Sequence, residues 1–161
     1  MPNAQFVMRE DEFNQLTAVI ERLVRGANAK SIFLVDKNGQ LLAQCGELNN
    51  IDAVGLASLT AGNFAASGGL AKLLGEKEFP VHFHQGEHES LHMNLVGDRI
   101  ILVVVFDQRT SLGLVKLRVK KANNELAIIL EKLKKKTDQG DEDDSPFADI
   151  TDEDIDNLFS D

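Results

Sequence analysis

The first strong periodicity along the chain is helical. Phe13, Leu16, Ile20 and Leu23 recur three and four residues apart, with Val19 and Val24 beside them and acidic residues at the start. That spacing predicts an amphipathic helix, ended by Gly26 and Asn28. Two short apolar runs follow, Ser31–Val35 and Leu41–Cys45. Asn38-Gly39 lies between them and predicts a hairpin whose two turn residues both take positive φ. Asp52 is placed to cap a long helix over Ala53–Leu74, and Gly75 to stop it. Beyond Pro80 come three more strands, Val81–Gln85, Leu91–Val96 and Arg99–Phe106, turning at Gly86 and at Gly97-Asp98. Ile100–Phe106 is apolar at every position, the pattern of a central strand covered on both faces. Leu112, Val115, Val119, Ala122, Leu126, Ile129 and Leu133 then form one stripe on a helix of about six turns. Lys132, Lys134, Lys135 and Lys136 suit the negative end of its dipole.

The order helix, two strands, helix, three strands, helix predicts one antiparallel sheet built from a hairpin and a three-strand meander. A strand buried on both sides requires helices on both faces. The class is α/β, of the α+β type.

The helix over Ala53–Leu74 is unusual. Its only charge is Lys72, and twelve of its 22 residues are Gly, Ala or Ser. Ser58, Thr60, Asn63, Ser67 and four glycines make it too polar for a membrane span. An ordinary core helix would account for Leu56, Leu59, Ala66, Leu70 and Leu73 as a sheet-facing stripe. It leaves the other side unexplained, because Ala57, Ala61, Ala65 and Gly69 fall four apart with Gly68 beside them. Gly55, Gly62, Gly68 and Gly69 each weaken a helix by about 0.8–1 kcal/mol relative to Ala. A smooth protein interface accounts for both facts, part of it covered by a second copy in a two-fold dimer.

Composition adds a division of the chain. The net charge is −9 over 161 residues, yet residues 1–136 hold 15 acids and 17 bases, whereas residues 137–161 hold 11 acids and no base. The expected organisation is therefore an extension over 1–8, one domain over 9–136 and an acidic appendage over 137–161. This balance excludes a nucleic-acid binder, and nothing argues for membrane insertion. One cysteine, Cys45, and the absence of a signal-peptide pattern in Met1–Arg9 point to a reducing, cytoplasmic compartment.

Within the appendage, Asp138–Asp144 reads as a charged linker. Thr151-Asp152-Glu153-Asp154 resembles a capping box, and Ile155, Leu158 and Phe159 follow at helical spacing, with Phe147 and Ile150 as further anchors. This predicts a short amphipathic helix that docks in an apolar groove. The groove belongs to a partner or to the chain's own lysine-rich last helix.

Candidate chemistry is sparse. Gly68-Gly69 has no following Gly-Lys-Ser/Thr, so no Walker-type phosphate loop is present, and no nucleophile has an evident base. His82, His84, His88 and His92 crowd one predicted hairpin; His82 and His84 share a face and His92 could lie opposite His82, yet no carboxylate or cysteine completes a metal set. Lys116, Arg118, Lys120 and Lys121 form either a patch for acidic partners or a solvated helix face, and Arg109-Thr110 is placed to begin the last helix. Neither a cofactor nor a catalytic residue is expected.

Four segments carry a family resemblance: Phe33–Gln40, Leu56–Asn63, Gly68–Leu73 and Arg109–Val115, joined by Ser145–Ile150 and Asp154–Phe159 of the tail. With the helix–hairpin–helix–meander–helix order, they resemble the Roadblock family, relatives of the longin fold. The resemblance implies a sandwich with one long helix on one sheet face and two on the other. It further implies a homodimer, its sheets joined through the third strand. The paired second helices would bind a Ras-like GTPase in its GTP form through Ala57, Ala61, Ala65, Gly68, Gly69 and Lys72. It implies GTPase activation in bacterial cell polarity and gliding motility, concentration at a cell pole, and a tail helix that binds the GTPase and promotes nucleotide exchange. The helix over Ala53–Leu74 has no arginine to donate. Activation is therefore expected to work by holding the partner's own switch residues in place. A Roadblock scaffold without activating power, and a ligand-sensing module beside the histidines, are the alternatives.

Overall fold

The two most thoroughly buried strands pair with each other at the centre of the sheet. The computed structural model describes residues 10–141, with side chains through residue 135. The elements are α1 (Glu10–Gly26), β1 (Ser31–Asp36), β2 (Leu41–Gly46), α2 (Ala53–Leu73), β3 (Val81–Gln85), β4 (Ser90–Val96), β5 (Ile100–Phe106) and α3 (Leu112–Asp141). The sheet order is β2-β1-β5-β4-β3, every neighbouring pair antiparallel.

Alternation along β5 divides the core in two. Ile100, Leu102, Val104 and Phe106 meet Leu16, Ile20 and Leu23 of α1 and Val115, Val119, Leu126 and Leu130 of α3. Ile101, Val103 and Val105 face the other way, with Phe33, Val35 and Met93, toward Ala57 and Phe64 of α2. One long helix thus covers one face and two helices the other, as expected. Burial of each such Leu, Ile or Phe contributes about 1.5–3 kcal/mol, which makes this alternation the main determinant of register.

The structure departs from the sequence pattern in several places. At the β1–β2 turn only Gly39 takes positive φ (93°), because Asn38 donates its N–H to the Asp36 carboxylate and Gly39 donates to the Asp36 carbonyl, closing a longer loop. Phe13 of α1 is exposed, while Glu12 is buried. Leu130 joins the buried stripe of α3, and Ile129 is only partly covered. Arg109-Thr110 does not begin α3: Ser111 accepts from the Leu114 N–H as its cap, and Arg109 bonds Asp107 and Glu47 instead. The helix continues to Asp141, so the lysines from Lys132 onward precede its last turn, and the first residues of the expected linker are helical. The tail anchors Phe147, Ile150, Ile155, Leu158 and Phe159 lie outside the described residues.

Candidate functional site

Helix α2 is seated by small and aromatic groups. Its buried residues are Ala57, Thr60, Phe64 and Ala71, which follow one another at helical spacing. The Asp52 carboxylate accepts from the Gly55 N–H at 3.0 Å and fixes the start, and a side chain at Gly55 would strike that carboxylate. At the far end Gly75, at φ 78°, lets Glu76 donate back to the Ala71 carbonyl. The hinge between α2 and the edge strand is held by His82. Its ring stacks on Phe64, its Nδ1 lies 2.7 Å from Asn63 Oδ1, and its Nε2 donates to the Phe79 carbonyl at 2.9 Å.

Of the stripe expected to face the sheet, Leu56 does pack against the core there, but this seating turns the rest of it outward. Leu59, at 77% exposure, Leu73, at 81%, and Leu70 all point to solvent, and Ala66 is exposed as well. The helix is apolar all round, so its moment does not choose a side. The choice falls to close packing, which favours the side carrying Phe64 and two alanines. Ala57, expected on the binding surface, is fully buried against the sheet and is removed from that surface.

The other small residues lie where a partner could reach them. Ala65, Gly69 and Lys72 are exposed, and Gly68 and Ala61 are partly so. Ala61 leans over the β1–β2 turn, whose Gly39 would bring a Cβ to 3.7 Å from it. A Cβ added at Gly62, Gly68 or Gly69 meets nothing within 4 Å. Among the described residues no contact therefore requires these glycines, although each costs the helix about 0.8–1 kcal/mol. One flank of this face is strongly apolar. Leu59, Ala66 and Leu70 share a stripe with Asn63, and Asn63 reaches over to His82 on β3, so the stripe overhangs the open edge of the sheet. The exposed leucines are the residues of α2 that pattern reading misplaced. Their signal was present in the composition of α2, since a helix apolar on every side cannot bury them all.

Charge and chemistry are meagre on this face. α2 carries no arginine. Arg99 pairs with Asp36, and Arg109 with Asp107 and Glu47. The histidines separate: strand register sets His82 opposite Met93 and His92 opposite Phe83, so His82 and His92 occupy opposite faces of the sheet, contrary to the expected pairing. Among the described residues no group of three or more His, Cys, Asp or Glu side chains could hold a metal ion. No described helix is long and apolar enough to cross a membrane. On α3, Lys116, Arg118, Lys120 and Lys121 are all exposed, spread around the helix rather than gathered into one patch.

Comparison with known proteins agrees with this architecture. The Roadblock/LC7 domain matches residues 16–106. Among solved structures, Myxococcus xanthus MglB shares 61% identity over 79% of this chain and 96% of its own, with a TM-score of 0.75. The gliding protein MglB from Thermus thermophilus shares 36% identity, covering 81% of this chain and 99% of its own, at a TM-score of 0.76. An MglB described with a tetrameric arrangement is similar at 36% identity, 82% and 99% coverage, and a TM-score of 0.77. No curated protein sequence matches the chain.

Proposed function

The chain belongs to the Roadblock/LC7 domain family, and from that premise we propose that it is a dimeric, non-catalytic regulator of a Ras-like GTPase of the MglA type. The outer face of α2 binds the GTPase in its GTP form. The observation that carries this reading is the set of open glycines: Gly62, Gly68 and Gly69 weaken α2 with no contact among the described residues to require it. A partner backbone lying close along Ala61, Ala65, Gly68 and Gly69, with Lys72 at the end, supplies the missing reason. The leucine flank over β3 is covered by the second copy, whose α2 lies alongside across the two-fold axis. Identity with MglB proteins over most of the chain supports the same partner class.

Activation proceeds without a donated side chain. An inserted arginine contributes about 10³–10⁵ in rate to other GTPases. Here the face itself offers none, because α2 has no arginine. The face instead binds one arrangement of the partner's switch loops in preference to others, and the partner's own catalytic groups do the chemistry. Phe147, Ile150, Ile155, Leu158 and Phe159 form a second contact that promotes nucleotide exchange. The setting is bacterial cell polarity and motility, in the cytoplasm with enrichment at a pole.

Single-turnover GTP hydrolysis by the cognate GTPase, with and without the full chain, tests the reading. Acceleration is expected; binding with an unchanged rate would instead make the protein a scaffold.

A further inference from the structure

The sheet face that carries α1 and α3 is not fully covered. Val81 and Phe83 on β3 pair with Asn94 and His92 on β4, which in turn pair with Leu102 and Val104 of the α1–α3 core. By the strand alternation, Val81 and Phe83 therefore share that face. The rings of Phe83 and Phe106 stack at 6.2 Å, which places Phe83 there directly. Yet Val81 is 52% exposed and Phe83 39%. Pairing between β3 edges of two copies runs in the plane of the sheet, so it would leave this strip bare.

The strip has a wall and an end. Lys116, Lys120, Ala127 and Lys134 follow one flank of α3 at helical spacing, with Lys116 near enough to His92 to act on it electrostatically. The end is a cavity of about 290 Å³ between Val96, Gly97, Ile100, Ala127 and Leu130, its mouth carrying Asp98, Arg99, Glu131 and Lys134. The exposed β3 pair, the lysine flank of α3 and the mixed-charge cavity all lie on the side of the sheet opposite α2, and we treat them as the parts of one trough.

We propose that this trough is the docking site of the chain's own residues 147–161. Three observations select that occupant. First, the tail begins beside the cavity: at a rise of about 1.5 Å per residue, Asp141 lies ~10 Å beyond Lys134. An extended linker over residues 142–146 spans up to ~17 Å, enough to turn Phe147 back into the cavity. Second, charge order matches along the path. Ser145-Pro146-Phe147-Ala148 is uncharged and meets the mixed-charge mouth, whereas Asp152, Glu153, Asp154 and Asp156 arrive beside Lys116 and Lys120. Third, the length fits: Lys116 to Lys134 spans ~27 Å, between the ~22 Å that residues 147–161 would cover as a helix and the ~50 Å they would cover fully extended. Phe147 fills the cavity, and Ile155, Leu158 and Phe159 lie over Val81 and Phe83. A tail held here is withheld from the GTPase. That consequence, though not the docking itself, rests on the partner-binding reading of the tail.

The test uses the full chain, isotope-labelled, with Cys45→Ala and Ser160→Cys carrying a nitroxide, diluted into excess unlabelled protein without any GTPase. Amides of Val81–Gln85 and of the Lys116–Lys134 flank of α3 are expected to lose most of their intensity, while those of α2 keep theirs. Phe147→Ser, which leaves the body untouched, and Lys116→Glu with Lys120→Glu should each restore the lost intensity. In about 1 M salt, where the screening length falls to roughly 3 Å, the effect should weaken. Broadening on α2, no localised broadening, or broadening seen only when nitroxide and isotope sit on different chains would overturn the proposal. Because no GTPase is present, failure of the activation reading would leave this result unchanged.

Discussion

His82 and Phe64 stack with their ring centroids 4.0 Å apart and their planes within 8°. The pair joins the face-forming helix to the edge strand, and the two hydrogen bonds of the histidine prevent the ring from turning. Through this one contact, the tilt of α2 and the position of β3 are set together.

Replacing His82 by alanine should therefore destabilise the fold by roughly 2–3 kcal/mol, the sum of a lost aromatic contact and two hydrogen bonds. Thermal unfolding gives the total. Hydrogen exchange should show the loss concentrated in β3 and the second half of α2, with α1 little changed.

At the open glycines stability and function should part company. Gly62→Ala and Gly69→Ala add a methyl into free space and should stabilise α2 by about 0.8–1 kcal/mol each. Gly69→Arg should keep most of that gain and Ala65→Arg should leave melting nearly unchanged, yet both should abolish GTPase activation. A sizing measurement separates loss of partner binding from loss of the dimer. Full activation by either arginine variant would remove this face from the interface.

Cys45 provides a pH signature. Burial, aided by the nearby Glu21 carboxylate, pushes its thiol up from 9.0 to about 11. The folded state then holds the proton more tightly than the unfolded chain. The associated stability is fully present below pH 9 and is lost as pH rises toward 11. Denaturant midpoints across this window should fall in the parent and flatten in Cys45→Ala. Alkylation of the folded protein near pH 8 should be slow.

His92 behaves in the opposite sense. It is buried with its Nδ1 unpartnered, and burial followed by the Lys116 charge moves its titration below the usual 6.5. The unfolded chain takes up the proton first, so this contribution is present above pH 6.5 and lost as pH falls below it. An NMR titration of the ring should show the lowered midpoint, and Lys116→Gln should move it upward.

Much of this architecture was legible in the residues. Seven apolar positions in succession at Ile100–Phe106 could only be a strand covered twice, and the glycines at 39, 75 and 97 mark reversals that the backbone makes at φ 93°, 78° and 66°. The rotation of α2 was not legible. Leucines ordinarily displace alanines from the core, yet here the sheet lies near enough to prefer Ala57, and a helix without a charged side gives no cue. Nor could the histidines be paired in advance. Their register depends on the length of the Gly86–Glu89 connection, and a one-residue slip there moves every side chain to the other face.

The strand order has a kinetic consequence. The β1–β2 hairpin and the β3–β4–β5 meander each join neighbouring stretches of chain, and only the seam from Ser31↔Val105 to Asp36↔Ile100 unites them. Closing it requires bringing together segments separated in the chain by β2, α2, β3 and β4, a loop closure with a large entropic cost. Folding should thus proceed as two quick local assemblies followed by one slower docking event. Substitutions along that seam, at Ile32, Leu34 or Val104, should slow refolding more than equally buried changes in α1.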